Sequence, residues 1–124
     1  MARTRICSFE LDPRGFVRAT VDPDAEMSTD DAKEALALTF EVAGKQRRPV
    51  LVDLRGIRSQ SRGARQYFAS SEVAERLAAV GLLIASPVAK VLGNFFLRLQ
   101  EQPVPTELFH DEEAAVDWLL AFTR

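Results

Sequence analysis

The 124-residue sequence predicts an α/β fold with a mixed, mostly parallel sheet and helices packed against it, and three observations carry that expectation. The runs Val50–Leu54 and Leu82–Ala85 are almost continuously apolar, as strands covered on both faces of a parallel sheet must be. Segments of helical periodicity separate and follow them. The chain opens instead on two alternating runs, 5–11 and 16–21, which read as a β-hairpin. The length suits one domain over residues 1–124, able to bury about two-thirds of its unfolded surface without a disulfide or metal.

Taken in order, Cys7, Phe9 and Leu11 share one face of the first run. Val17, Ala19 and Val21 oppose Phe16 and Arg18 in the second, and Asp12-Pro13-Arg14-Gly15 supplies the turn. Ser28 and Thr29 are N-cap candidates for a helix whose first turn holds Asp30 and Asp31, where carboxylates suit the helix dipole. Ala32, Ala35, Leu36, Phe40 and Ala43 form its apolar stripe, and Gly44 stops it. Pro49–Leu54 is a buried strand and Gly56–Gly63 a loop. From about Arg62, the residues Ala64, Tyr67, Phe68, Ser71, Ala74 and Ala78 mark one helical face, with Gly81 dividing that helix from strand 82–85. Ser86-Pro87 is a strong helix start, since serine caps and proline suits the first helical position. The stripe Val88, Val91, Leu92, Phe95, Phe96 and Leu99 follows. Pro103 and Pro105 place Thr106–Phe109 at a sheet edge. Asp111 caps a last helix with Ala115, Trp118, Leu119 and Phe122 on its apolar face. The predicted order is β-β-α-β-α-β-α-β-α, with right-handed crossovers between parallel strands.

Composition excludes several classes of function. The net charge is −2, and no aromatic residue interleaves with the arginines before Tyr67, so no nucleic-acid partner is expected. The apolar run 78–85 falls far short of the ~20 residues of a spanning helix. No apolar h-region follows the basic start Met1–Arg5, which argues against a signal peptide. The single cysteine, Cys7, reads as a small buried side chain in a reducing compartment, so a cytoplasmic protein is expected. One histidine, His110, reads as a surface or capping residue, and with one cysteine it provides no metal-binding or catalytic set. No phosphate-binding, dinucleotide-binding, zinc-protease or serine-hydrolase motif occurs. A protein that is not an enzyme, without cofactor or metal, is the expectation.

The element order resembles the STAS domain, the fold of bacterial anti-sigma-factor antagonists, from about Arg5 to Phe122. Locally, Val50-Leu51-Val52-Asp53-Leu54-Arg55-Gly56-Ile57 is similar to that family's central strand. The segments Ala64-Arg65, Leu92-Gly93-Asn94-Phe95-Phe96 and Phe109 to Leu119 resemble a branch of small SpoIIAA-like bacterial proteins. The resemblance implies a protein-interaction or regulatory module. It also implies a phosphoacceptor serine after the central strand, where this chain has Ser59-Gln60-Ser61-Arg62-Gly63. No aspartate precedes either serine, unlike the family's Asp-Ser pattern.

Three features of the residues themselves bear on function. Between Arg47 and Arg65 lie six arginines and one aspartate, a local charge of +5 that leaves the rest of the chain at −7. Arg55, Arg58, Ser59, Ser61, Arg62 and Arg65 could form a site for a partner or for a small anionic or amphipathic, lipid-like ligand at a helix start, or be a solvated surface. Ser59 and Ser61 are phosphoacceptor candidates by position, although Ser61 serves equally as an N-cap. Finally, the stripe after Pro87 carries more large apolar residues than one sheet face need cover. Val91, Phe95, Phe96 and Leu99 are therefore read as a homodimer face, or as core. Gly93 and Asn94 in the helix interior indicate that another segment packs closely there.

Overall fold

The computed structural model describes residues 2–99 and 102–123, and the side chains of 71, 74, 92, 95, 96 and 99 lie outside the description. The chain runs through β1 (Ala2–Arg3), β2 (Cys7–Leu11), β3 (Val17–Val21), β4 (Glu26–Met27) and α1 (Thr29–Ala43). It continues through β5 (Arg48–Asp53), β6 (Ser59–Gln60), α2 (Arg62–Phe68) and α3 (Ser71–Arg76). The last elements are β7 (Leu77–Leu83), α4 (Pro87–Leu99), β8 (Thr106–Phe109) and α5 (Glu112–Leu120). Six strands form one sheet in the order β1-β2-β3-β5-β7-β8. The hairpin strands pair antiparallel, and every later neighbour in this sheet is parallel. The predicted mixed, mostly parallel sheet is therefore present, with β5 between β3 and β7.

Alternation along the strands assigns the two faces. Val17, Ala19, Val21 and Val50 meet Ala32, Ala35, Leu36 and Phe40 of α1 on one side. Phe16, Leu51 and Leu83 meet Ala115, Val116 and Leu119 of α5 on the other. Adjacent residues Val50 and Leu51 thus serve opposite cores, which is why the strand reads as uninterrupted apolar sequence.

Local chemistry fixes the ends of these elements. The Gly15 N–H donates to the Asp12 carbonyl at 2.9 Å, with Gly15 at φ +106°, where a side chain would be strained. Ser28 and Asp31 form a reciprocal capping box on α1. Asp31 is buried and also accepts two bonds from Arg5, at 3.1 and 2.5 Å. Asp111 caps α5 by accepting from the Glu113 N–H at 3.2 Å.

Two segments differ from the sequence reading. The single helix expected over 62–78 is two short helices, and β7 begins at Leu77, so Ala78 and Gly81 are strand residues. Ser70 breaks the helix with an extended backbone, φ −72° and ψ 161°. Gly81 does not divide helix from strand but lies under α5, where an added Cβ would touch Leu119 at 3.5 Å. Small residues such as Ala78 and Ala79 fit either periodicity, so the sequence alone favoured the helix.

The expected loop 56–63 also contains a strand. β6 pairs in parallel with β4 as a separate two-stranded sheet, Glu26 opposite Ser59 and Met27 opposite Gln60. Further bonds run from the Arg58 N–H to the Ala25 carbonyl and from the Ser61 N–H to the Met27 carbonyl, both 2.9 Å. The Asp24 N–H donates to the Gly56 carbonyl at 2.7 Å.

α4 lies beside the edge strand β8. A Cβ on Gly93 would come 2.5 Å from Leu108 Cδ2, and the buried Asn94 side chain bonds the Leu108 backbone. The close approach signalled by Gly93-Asn94 is therefore met within the chain.

Candidate functional site

The six arginines of the basic segment do not converge. Arg48 donates to the Ala43 and Gly15 carbonyls at 3.0 and 3.2 Å, tying the end of α1 to the hairpin turn. Arg47 donates to the Leu77 carbonyl at 3.2 Å. Arg55 grips Asp53 with two bonds, at 3.1 and 2.8 Å, and lies 3.6 Å from Glu112 at the start of α5. Burial alone would lift the Asp53 carboxyl, but the hydrogen bonds and charge of Arg55 outweigh it and leave the group below its usual range. Glu112 also pairs with Arg18 at 3.4 Å, so the acidic start of the last helix neutralises two arginines.

The remaining predicted site residues lie around β6 and α2. Arg58, Ser59 and Arg62 are exposed. Ser61 is the N-cap of α2, its Oγ accepting from the Ala64 N–H at 3.0 Å. Arg65 is exposed and donates to the Gln60 carbonyl at 3.0 Å.

Arg65 differs from the others in what lies beside it. A cavity of about 290 Å³ sits on the α1 side of the sheet. Its floor is Ala19 and Val21 of β3, Val50 and Val52 of β5, and Val80 and Leu82 of β7. Its walls come from α1, α2, α3 and α4 through Ala35, Phe68, Val73 and Leu97. Arg65 is the one charged residue among the described lining residues, and with Ala69 it is exposed, so the cavity meets solvent at α2. The cavity exists because small side chains face small ones. Ala19 and Val21 of the sheet meet Ala35 of the helix, where close packing would demand a large partner on one side.

Polar groups in the lining are few. Thr39 donates its hydroxyl to the Ala35 carbonyl at 2.8 Å and Thr106 to the Val104 carbonyl at 2.9 Å. Burial pushes the Cys7 thiol up to about 11, so it lines the cavity as a neutral group. Cys7 is buried, as its place in the alternating first strand predicts, and Arg65 is the candidate site residue that borders the cavity. The cavity has no counterpart among the sequence expectations; its signal is the run of small residues on facing surfaces.

The expected dimer face is only partly visible. Val91 and its neighbour Val88 are 65% and 68% exposed, while the side chains of Phe95, Phe96 and Leu99 lie outside the described residues. No group of three or more histidine, cysteine or acidic residues able to hold a metal occurs among the described residues. Among them, no helix is long and apolar enough to cross a membrane.

Comparison with solved structures identifies the fold. The fold is SpoIIAA-like: the chain superposes with a TM-score of 0.62 on a protein of the DUF3478 family with a SpoIIAA-like fold from Shewanella loihica PV-4. The two share 15% identity over 96% of this chain and 98% of that one. The chain itself belongs to the family described as a domain of unknown function (DUF7793), whose model matches residues 9–123. A protein of unknown function from Arthrobacter sp. FB24 is 35% identical over 94% of this chain and 100% of that chain, with a TM-score of 0.37. No curated protein matches.

Proposed function

We propose that this chain is a non-enzymatic, cytoplasmic binding module that takes a small amphipathic anion into the cavity beside α2, and that occupancy governs its interaction with a partner. The observation that carries this reading is the cavity itself, apolar over its floor, with a single arginine among the described lining residues where it meets solvent. Its volume is close to the lower end of the range of small-molecule sites, and its wall-and-mouth chemistry fits them. The SpoIIAA-like fold agrees with a regulatory role. Of the six arginine-segment residues, Arg65 is the one assigned to the ligand. Arg58, Arg62 and Ser59 remain available for a partner, and Ser61 is occupied as a helix cap.

The test is a backbone-amide NMR titration of the protein with decanoate. Shifts grouped on β3, β5, β7 and α2 are expected, and Val80→Phe, which fills the cavity, should abolish them while the far-UV spectrum stays native. Absence of grouped shifts in the wild type with decanoate, and again with decyl phosphate and 1-decanol, would end this reading.

A second reading, self-association through α4, is favoured by the exposure of Val88 and Val91. Solution mass by light scattering tests it. A dimer that Val91→Glu converts to monomer supports it, and a monomer at high concentration removes it.

A further inference from the structure

The lining of the cavity is selective about what its occupant can be, and this inference rests on the binding role proposed above. The floor presents aliphatic side chains from β3, β5 and β7, with Phe9 and the neutral Cys7 thiol of β2 beside them. The two lining threonines have already donated their hydroxyl protons to carbonyls of their own segments, Thr39 to Ala35 and Thr106 to Val104. A polar group carried into this space would lose its water and find no free strong donor on the floor, a costly exchange. The amides Gln60 and Gln102 belong to β6 and to the connection after α4, not to the floor. At the solvent side the situation reverses. Arg65 makes one bond, to the Gln60 carbonyl, and its other N–H groups have no partner among the described residues.

We propose that the occupant is a single hydrocarbon chain, free of hydrogen-bonding groups along its length and ended by one anionic group that Arg65 receives. The volume of about 290 Å³ leaves room for on the order of ten small groups, at the roughly 30 Å³ that a water takes in the liquid, so a medium-length chain fits. A carboxylate and a phosphate monoester present the same chemistry to a guanidinium, both accepting a charge-assisted pair of bonds.

Calorimetric titration of the folded protein with decanoate, decyl phosphate, 1-decanol and decanedioate, each below its micellar concentration, tests this. At least one of the two single-headed anions should bind about tenfold more tightly than 1-decanol, the worth of a charge-assisted hydrogen bond. The stronger of the two identifies the head. Decanedioate, which would carry a second carboxylate into the aliphatic floor, should bind at least about tenfold more weakly than decanoate. Arg65→Gln should bring both anions down to the level of 1-decanol, and Arg65→Lys, which keeps the charge but not the paired geometry, should retain part of the preference.

Equal binding of 1-decanol and both anions, insensitive to Arg65→Gln, would overturn the proposal while leaving the cavity a binding site. So would decanedioate binding as tightly as decanoate. Failure of all four compounds to bind would overturn this proposal and the binding role together.

Discussion

Asn94, in the third turn of α4, completes the hydrogen bonding of Leu108 on the edge strand β8. Its Oδ1 accepts from the Leu108 N–H at 2.8 Å and its Nδ2 donates to the Leu108 carbonyl at 3.1 Å. The amide thus stands where a further strand would pair, and it covers a backbone edge that would otherwise be open to another chain. Asn94→Asp keeps the shape but loses the donor and sets a carboxylate against a carbonyl. The expected cost is about 2–3 kcal/mol at pH 7, read from urea unfolding. Relative to wild type at the same pH, the deficit should shrink as pH falls towards about 4 and be smallest below it, where a protonated carboxyl can donate again.

Gly63 is required by the contact between α2 and α1. A Cβ there would sit 2.1 Å from Thr29 Oγ1. Gly63→Ala should therefore destabilise by about 1–3 kcal/mol despite the better helix propensity of alanine. Thr29→Ala in the same chain should restore most of the loss. A double-mutant cycle by thermal or urea unfolding measures the coupling, and simple additivity would show that the contact is not the cause.

The acid limb of stability should report on Asp31. Hydrogen bonding to Arg5 outweighs burial and holds its carboxyl below the ordinary 3.8. Its contribution is complete above that value and is lost as pH falls through the lower, folded value. Asp31→Asn should be less stable near neutrality by about 1 kcal/mol, the usual worth of an N-terminal cap. Its stability should also fall less steeply than that of wild type below pH 4, as followed by denaturation at a series of pH values.

Arg55 offers a different test, because its pair with Asp53 is largely solvent-accessible on the arginine side. Arg55→Ala should change stability by less than about 1 kcal/mol. It should nevertheless raise the Asp53 pKa, since burial then acts with less opposition. A carboxyl-carbon NMR titration reads the shift. An unchanged Asp53 would mean that the residue-55 backbone N–H, which the substitution keeps, and Arg18 carry the effect.

The parts of the fold legible in the sequence are those with one physical interpretation. Val50-Leu51-Val52 can only be a strand covered on both faces, Ser86-Pro87 starts a helix, and the Pro105-Thr106 step marks a sheet edge. Leu77–Val80 allowed two periodicities, and which one wins depends on β5 lying alongside. β4 and β6 are two residues each and depend on a pairing across 33 positions, which no local pattern records. The site was half visible. Arginine abundance pointed to residues 47–65, but long side chains choose partners in three dimensions, and Arg47, Arg48 and Arg55 are engaged in backbone or carboxylate contacts. The cavity arises from what faces what, which spacing along one chain does not encode.

The β4–β6 pairing has a mechanical consequence. Backbone bonds at Gly56, Arg58 and Ser61 fasten the arginine-bearing segment to residues 24–27, and Ser28 then begins α1. The segment is a strut rather than a tether. Arg58 and the first turn of α1 therefore belong to one continuously hydrogen-bonded stretch of backbone, joined through Ala25 and Met27.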